Sequence, residues 1–359
     1  MKTIDLQDLG WDPALQYYLD EYDNPDAVAG RVCRLDRGLC RLLTVGGERA
    51  AIWSPSLPVV DGDTVDGPAV GDWCLAAPDN DRLRLLALLP RRTCFTRGRA
   101  SGGRAEQVIA ANVDVAFVVL GLDGDFSLRR IERYLTLARH SGARPVVLLN
   151  KADLHPDAGD VEALAAEAAR VSPGVTVLPL SARAGRGLDA VRAELAGGAT
   201  GVLLGSSGVG KSTTINGLLG RDRLPTSEVR ASDDTGRHTT THRELLPLPG
   251  GGVVIDTPGL REVGVLGQAQ DLQEVFPDVM EHAASCRFGD CGHHQEPGCA
   301  VLQAVEDGEL DADRLDSYQH LLRELESADR RRSAYEQRTH ERKTWGMLRR
   351  SLKAHPKYK

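Results

Sequence analysis

The chain has no long hydrophobic run. Its longest apolar stretches, such as Val115–Leu120 and Val146–Leu149, are strand-sized. A membrane-spanning helix needs roughly 20 apolar residues. The N-terminus, MKTIDLQDLGWDPALQ, lacks the apolar core of a secretory signal. These absences point to a cytoplasmic protein with no membrane association. Seven cysteines, an odd count in a chain with no secretory signal, argue against a disulfide framework, and metal ligation is the better reading of any cluster. Cys33, Cys40, Cys74 and Cys94 lack ligand spacing and read as small buried apolar residues.

What is present amounts to 359 residues, enough for two or three domains of roughly 100–200 residues each. The net charge of −7 is unevenly spread. Residues 330–359 hold eleven Lys and Arg against Glu336 and Glu341, a surplus of nine that leaves −16 on the remainder. A charge run alone is most simply a solvated helix. On an acidic body it also suits a polyanionic partner such as nucleic acid.

The residues predict a multidomain protein. Residues 1–27 are an N-terminal extension with no informative pattern. Across 28–100, five short runs (AVAGRVCRL, GLCRLLTV, RAAIWS, VGDWCLAA and LRLLALL) alternate with Gly, Asp, Asn and Pro. That spacing predicts a small closed β-barrel, with an OB-fold the commonest candidate. Aromatic rings are few there, Trp53 and Trp73 among them, so base stacking is not evident. A Gly/Arg-rich connector covers residues 96–112. Residues 105–270 then alternate buried strands with amphipathic helices, the pattern of a mostly parallel sheet covered on both faces. Residues 275–340 carry cysteines and histidines and then turn helical. Residues 341–359 form a basic tail.

GSSGVGKST, from Gly205 through Ser206, Ser207, Gly208, Val209, Gly210, Lys211 and Ser212 to Thr213, reads G-x-x-x-x-G-K-[ST]. It follows the strand Val202–Leu204 and opens a helix. Its glycines let successive N–H groups face phosphates, and the helix N-terminus adds positive potential. Lys211 is suited to the β- and γ-phosphates, and Ser212 to Mg²⁺. About fifty residues earlier stands NKAD: Asn150, Lys151, Ala152 and Asp153. A carboxylate at Asp153 accepts from the guanine N1–H and amino group, a donor pair that adenine does not present. A base without those donors leaves the charge unpaired. Ser181 and Ala182, after VTVLPL, suit a supporting loop at the guanine oxygen.

DTPG follows the strand GGVVI, so Asp256 is expected to hold Mg²⁺ through water and the Gly259 N–H to sense the γ-phosphate. Between the two motifs lies GRHTTTH, from which Thr240, among Thr239, Thr240 and Thr241, is the candidate to close over the metal. Leu260 occupies the place where Ras-like proteins carry a water-orienting glutamine. His238 is the nearest polar substitute, and a purely structural role for it is equally consistent. Slow intrinsic hydrolysis with strong stimulation by a partner is therefore expected.

Cys286-x4-Cys291-x-His293-x5-Cys299 packs three thiolates and an imidazole into fourteen residues. Cys₃His is a structural zinc set, and four ligands leave no open position for catalysis. His294 is an alternative to His293, because spacing does not separate adjacent histidines.

The order NKAD, SA, GSSGVGKST, GRHTTT, DTPG is rotated relative to most GTP-binding proteins. With a barrel before it and the cysteine–histidine set after it, the chain resembles the small-ribosomal-subunit-dependent GTPase A family of bacterial ribosome biogenesis factors, from about residue 28 to 340. The resemblance implies an OB-fold, a circularly permuted GTPase domain and a zinc-binding domain. It implies GTP and GDP as ligands of Asn150–Asp153 and Gly205–Thr213, with Mg²⁺, and one structural Zn²⁺ on Cys286, Cys291, His293 and Cys299. It implies partners too: the 30S subunit and its 16S rRNA, served by a monomer in late subunit maturation. A competing reading makes the chain a zinc-containing RNA-binding module whose nucleotide site only gates affinity. A metabolic phosphotransferase or metallochaperone fits less well, since NKAD and the closed ligand set argue against it.

Overall fold

A computed structural model describes residues 4–36, 38–63, 65, 67–97, 107–155, 157–224, 243–257 and 268–330. The chain divides into two compact units, Met1–Thr96 with Val108–Val263, and Arg97–Gln107 with Gly264–Lys359.

Five strands open the first unit: β1 Val28–Asp36, β2 Leu39–Thr44, β3 Gly47–Ile52, β4 Trp73–Asp79 and β5 Arg82–Leu88. They pair in the order β1-β2-β3-β5-β4, and β4 returns to β1, so the sheet closes into the expected barrel. The β3–β5 pairing is parallel and the others are antiparallel. Alternate residues point inward, as the twofold period of a strand requires. They build a core of Val32, Cys40, Leu42, Ala51, Leu57, Cys74, Ala76, Leu83, Leu85 and Leu88. Burial raises the Cys33 and Cys40 thiols to about 12. These cysteines act as small apolar residues, as their spacing implies.

The extension 1–27 carries structure that its sequence does not announce. Helix α1, Pro13–Asp20, starts on Asp12, whose side chain accepts from Leu15 N, and Leu9 and Leu15 are buried. The buried Arg31 of β1 ties this segment down. It donates to Leu9 O, to Gly71 O at 3.3 Å and to Asn112 O at 3.0 Å.

Beyond the paired strands β6 Cys94–Arg97 and β7 Gln107–Ala111 comes the second sheet. Its strands are β8 Val115–Gly121, β9 Arg144–Asn150, β10 Thr176–Pro179, β11 Thr200–Leu204, β12 Glu244–Pro247 and β13 Val253–Asp256. The order is β10-β9-β8-β11-β13-β12, parallel except for β12. β12 was not evident from the sequence. It also pairs with the barrel, Arg34 opposite Glu244, so barrel and sheet are continuous. Helices α2 Leu128–Ser141, α3 Ala158–Val171, α4 Leu188–Ala193 and α5 Lys211–Leu219 join the strands. Ile131, Leu135 and Ala138 of α2 are buried, matching the helical spacing read from sequence. Because β8, β9, β10, β11 and β13 run parallel, their carboxyl ends share one edge, where ligands of open α/β sheets bind.

The second unit holds α6 Ala269–Val275, α7 Pro277–Ala283, α8 Ala300–Glu306 and a helix over residues 312–330. Arg314 is buried over the Phe276 ring at 4.2 Å and bonds Asp278 at 2.9 and 3.1 Å.

Candidate functional site

The phosphate loop leaves β11 through Gly205 (φ +149°), Gly208 (φ +84°) and Gly210 (φ +97°), a conformation open to residues without a Cβ. A Cβ on Gly205 would lie 2.3 Å from Val119 O, and one on Gly210 would lie 2.2 Å from Asn150 Nδ2. Both glycines are therefore required by close approach as well as by dihedral. Lys211 Nζ donates to Gly205 O at 2.7 Å and to Ser206 O, so the ammonium lies across the loop. Ser212 follows in the first turn of α5, whose free N–H groups face the loop.

Asn150 ends β9 with its side chain only 3% exposed. Nδ2 donates to Val209 O at 2.8 Å, and Oδ1 accepts from Ala182 N at 3.0 Å. One amide thus joins the phosphate loop to the Ser181–Ala182 loop. Lys151 sits at φ +67° and turns the chain so that Asp153 follows on the same rim. Ser181 hydrogen-bonds Asp153 and holds its carboxyl below the ordinary carboxylate value, with Arg186 and Arg183 adding in the same direction. Asp153 is thus ionised and can accept two donors from a base. Asp256 ends β13, next to β11 in parallel register, and is half-buried. The Oγ1 of its neighbour Thr257 is buried with no hydrogen-bond partner among the described residues. His238, Thr239, Thr240, Thr241, Gly259, Leu260 and the tail 341–359 lie outside the described residues.

Four residues at this edge escaped the motif reading. Asp123 pairs with Lys151 Nζ at 2.5 Å, which lowers its pKa. Asp125 pairs with Arg130, Arg130 donates to Ser206 Oγ at 3.2 Å, and Tyr134 also bonds the Ser206 side chain. The available signal was Asp123-Gly124-Asp125, one residue beyond the buried strand β8. It reads as an ordinary solvated turn unless the strand end is known to face a ligand.

In the second unit, the ligand atoms of Cys286, Cys291, His293 and Cys299 all lie within 4.8 Å of one another. Cys286 Sγ is 3.9 Å from Cys299 Sγ, and His293 Nδ1 is 3.6 and 3.5 Å from those sulfurs. A tetrahedral zinc with ordinary bond lengths would set sulfurs about 3.8 Å apart and sulfur and nitrogen about 3.5 Å apart. The donor set fits that ion. His293 takes φ +58° and is buried, its carbonyl accepting from Gln319 Nε2 at 2.5 Å, whereas His294 is exposed and outside the cluster. Glu296 braces the loop by accepting from Gly292 N, His294 N and Gln295 N at 2.9, 2.8 and 3.0 Å; its own backbone N–H and these donors pull its carboxyl down to about 2.

Comparison with known proteins gives a consistent set of likenesses. A family model described as RsgA GTPase matches residues 88–266. The chain is 47% identical over 315 residues to the small ribosomal subunit biogenesis GTPase RsgA of Streptomyces avermitilis, covering 88% of this chain and 84% of that protein. It is also 47% identical over 337 residues to the protein of that name from Opitutus terrae, covering 91% of each. Among solved structures, YjeQ from Thermotoga maritima matches with a TM-score of 0.61 at 25% identity, over 83% of this chain and 98% of that one. YloQ, described as a circularly permuted GTPase, matches with a TM-score of 0.59 at 25% identity, over 86% and 98%.

Proposed function

The chain belongs to the RsgA GTPase family, and from that premise we propose how its own residues serve the reaction. It is a GTPase of small-ribosomal-subunit maturation, and the small subunit is its partner. The observation that carries the residue assignment is the Asn150 amide. It spans Val209 and Ala182, so that motifs separated by 59 and 32 residues form one site.

In this reading Asp153 accepts from the guanine edge, the Lys151 stem packs on the base, and Ser181–Ala182 contacts the guanine oxygen. The N–H groups of Gly205–Thr213 and the Lys211 ammonium hold the phosphates. Ser212 and Asp256 would hold Mg²⁺, which when bound neutralises phosphate charge. Thr240, Gly259 and His238 are proposed to close over the metal, sense the γ-phosphate and orient water. Cys286, Cys291, His293 and Cys299 would hold one structural zinc ion. The barrel and the basic tail offer surfaces for 16S rRNA, which proteins meet largely through shape and phosphates. We further propose that the protein works as a monomer in the cytoplasm, where subunits mature.

The decisive measurement is phosphate release from GTP by the purified protein with and without small ribosomal subunits. A slow unstimulated rate that rises roughly tenfold or more is expected. Equal rates would overturn the partner-dependent reading. Lys211→Ala separates the competing RNA-binding reading, since a binding module would retain its role without nucleotide.

A further inference from the structure

Arg130 lies in the first turn of α2, and no motif assigns it a role. Its Nη1 donates to Ser206 Oγ at 3.2 Å and to Asp125 O at 3.2 Å, and it pairs with Asp125 Oδ1. Lys211 Nζ donates to the carbonyl of the same Ser206. Two cations therefore converge on one residue of the phosphate loop, one at its hydroxyl and one at its carbonyl. The Arg130 side chain is 44% exposed, so no packed slot confines it. Its partner is poorly satisfied: Asp125 Oδ2 is buried with no hydrogen-bond partner among the described residues. An ion pair whose guanidinium is this exposed contributes little to stability, so Arg130 can change partners at small cost.

We propose that Arg130 is a further cationic residue of the hydrolytic site, held on Asp125 without nucleotide and transferred to the phosphates of GTP in the transition state of hydrolysis. The proposal rests on the GTPase reading. In the reaction, water oxygen bonds the γ-phosphorus, and the bond to the β–γ bridging oxygen breaks with its electron pair remaining on GDP. A water proton leaves with the product phosphate and solvent. Negative charge grows on the bridging and β-oxygens, and a guanidinium fork matches phosphate oxygens in pairs. The residue after DTPG is leucine, which has no polar group, so a cation already at the loop has a defined task. Asp125 in turn follows Asp123, the partner of Lys151, and its N–H donates to Asp123 Oδ1 at 3.2 Å. A single turn thus connects the NKAD motif to the cation beside the phosphate loop.

The test uses the full-length protein alone, as wild type, Arg130→Ala, Arg130→Lys and Asp125→Asn. Unstimulated kcat, GDP affinity and formation of the GDP–aluminium fluoride complex are measured. Arg130→Ala is expected to lower kcat by on the order of tenfold to a hundredfold, to leave GDP affinity within about twofold of wild type, and to abolish the fluoride complex. Arg130→Lys should not restore it, because a point charge lacks the fork. Asp125→Asn should raise kcat several-fold by freeing the guanidinium, a gain that misfolding does not produce. The proposal is overturned if Arg130→Ala keeps the wild-type kcat, if GDP affinity falls in step with kcat, or if Asp125→Asn slows the enzyme. A wild type that hydrolyses no GTP even with small ribosomal subunits added sinks the GTPase reading and this proposal together. A wild type that does, with Arg130→Ala unchanged, sinks this one alone.

Discussion

Asn150 shows how much one side chain can organise. Its amide is buried, donates to one motif and accepts from another, and lies against Gly210 so tightly that no Cβ fits between. Each buried polar partner left unmatched costs about 1–3 kcal/mol. Asn150→Ala strands Val209 O and Ala182 N, so GTP and GDP affinity should both fall by on the order of tenfold to a thousandfold. Gly210→Ala should do the same by pushing the amide aside. Nucleotide titration by fluorescence or calorimetry checks this, and wild-type affinity in either variant would remove Asn150 from the centre of the site. The motif residues were legible because phosphate and guanine chemistry dictate residue types at close spacing. Asp123, Asp125 and Arg130 were not, because their roles depend on which strand ends adjoin. Nothing local in GLDGDFSLRR marks it as the neighbour of a loop about eighty residues away.

At the scale of elements, the five barrel strands could be read because each is short, apolar on alternate positions and bounded by turn residues. Helix α1 and strand β12 could not. The helix is held by long-range partners such as Arg31, and the strand is a four-residue edge whose pairing with β13 and β1 is purely tertiary. The segment Cys286–Cys299 was legible for the opposite reason, since ligand spacing is local. Within it only His293 and Cys299 are buried, so apolar burial cannot hold the loop, and the proposed zinc would supply its folding energy. Cys299 has a second duty, its sulfur accepting from Leu302 N at 3.5 Å as the cap of α8. Cys299→Ser keeps a capping oxygen but loses the thiolate. It should take zinc content from about one per chain to a small fraction of that and speed amide exchange across residues 286–299. Full zinc occupancy in that variant, read by elemental analysis, would exclude Cys299 as a ligand.

At the scale of the whole first unit, one guanidinium joins three distant stretches of chain. Arg31 is 1% exposed and meets carbonyls of Leu9, Gly71 and Asn112, which lie 22, 40 and 81 residues away, with its charge 5.0 Å over the Trp73 ring. Asp72, wholly buried, accepts two bonds of 2.7 Å from Arg91 and stands near enough to favour the charge on Arg31. Burial nevertheless dominates and lowers the Arg31 pKa to about 10. The sign follows: the folded value lies below the ordinary one, so the buried charge costs stability at neutral pH, and that cost shrinks only as pH rises through about 10. What the charge returns is three satisfied carbonyls and the docking of residues 4–20 onto barrel and sheet. Arg31→Ala removes the donors and leaves a cavity, an expected loss of about 3–5 kcal/mol and a melting temperature lower by roughly 6–20 °C. Arg31→Met refills the volume and removes the desolvation cost while still stranding the carbonyls, so its loss should be the smaller. Calorimetric unfolding at pH 7 orders the two. If Arg31→Ala melts within about 2 °C of wild type, the extension is held by Leu9 and Leu15 packing instead; if Arg31→Met melts above wild type, the buried charge is a net cost kept for specificity rather than stability.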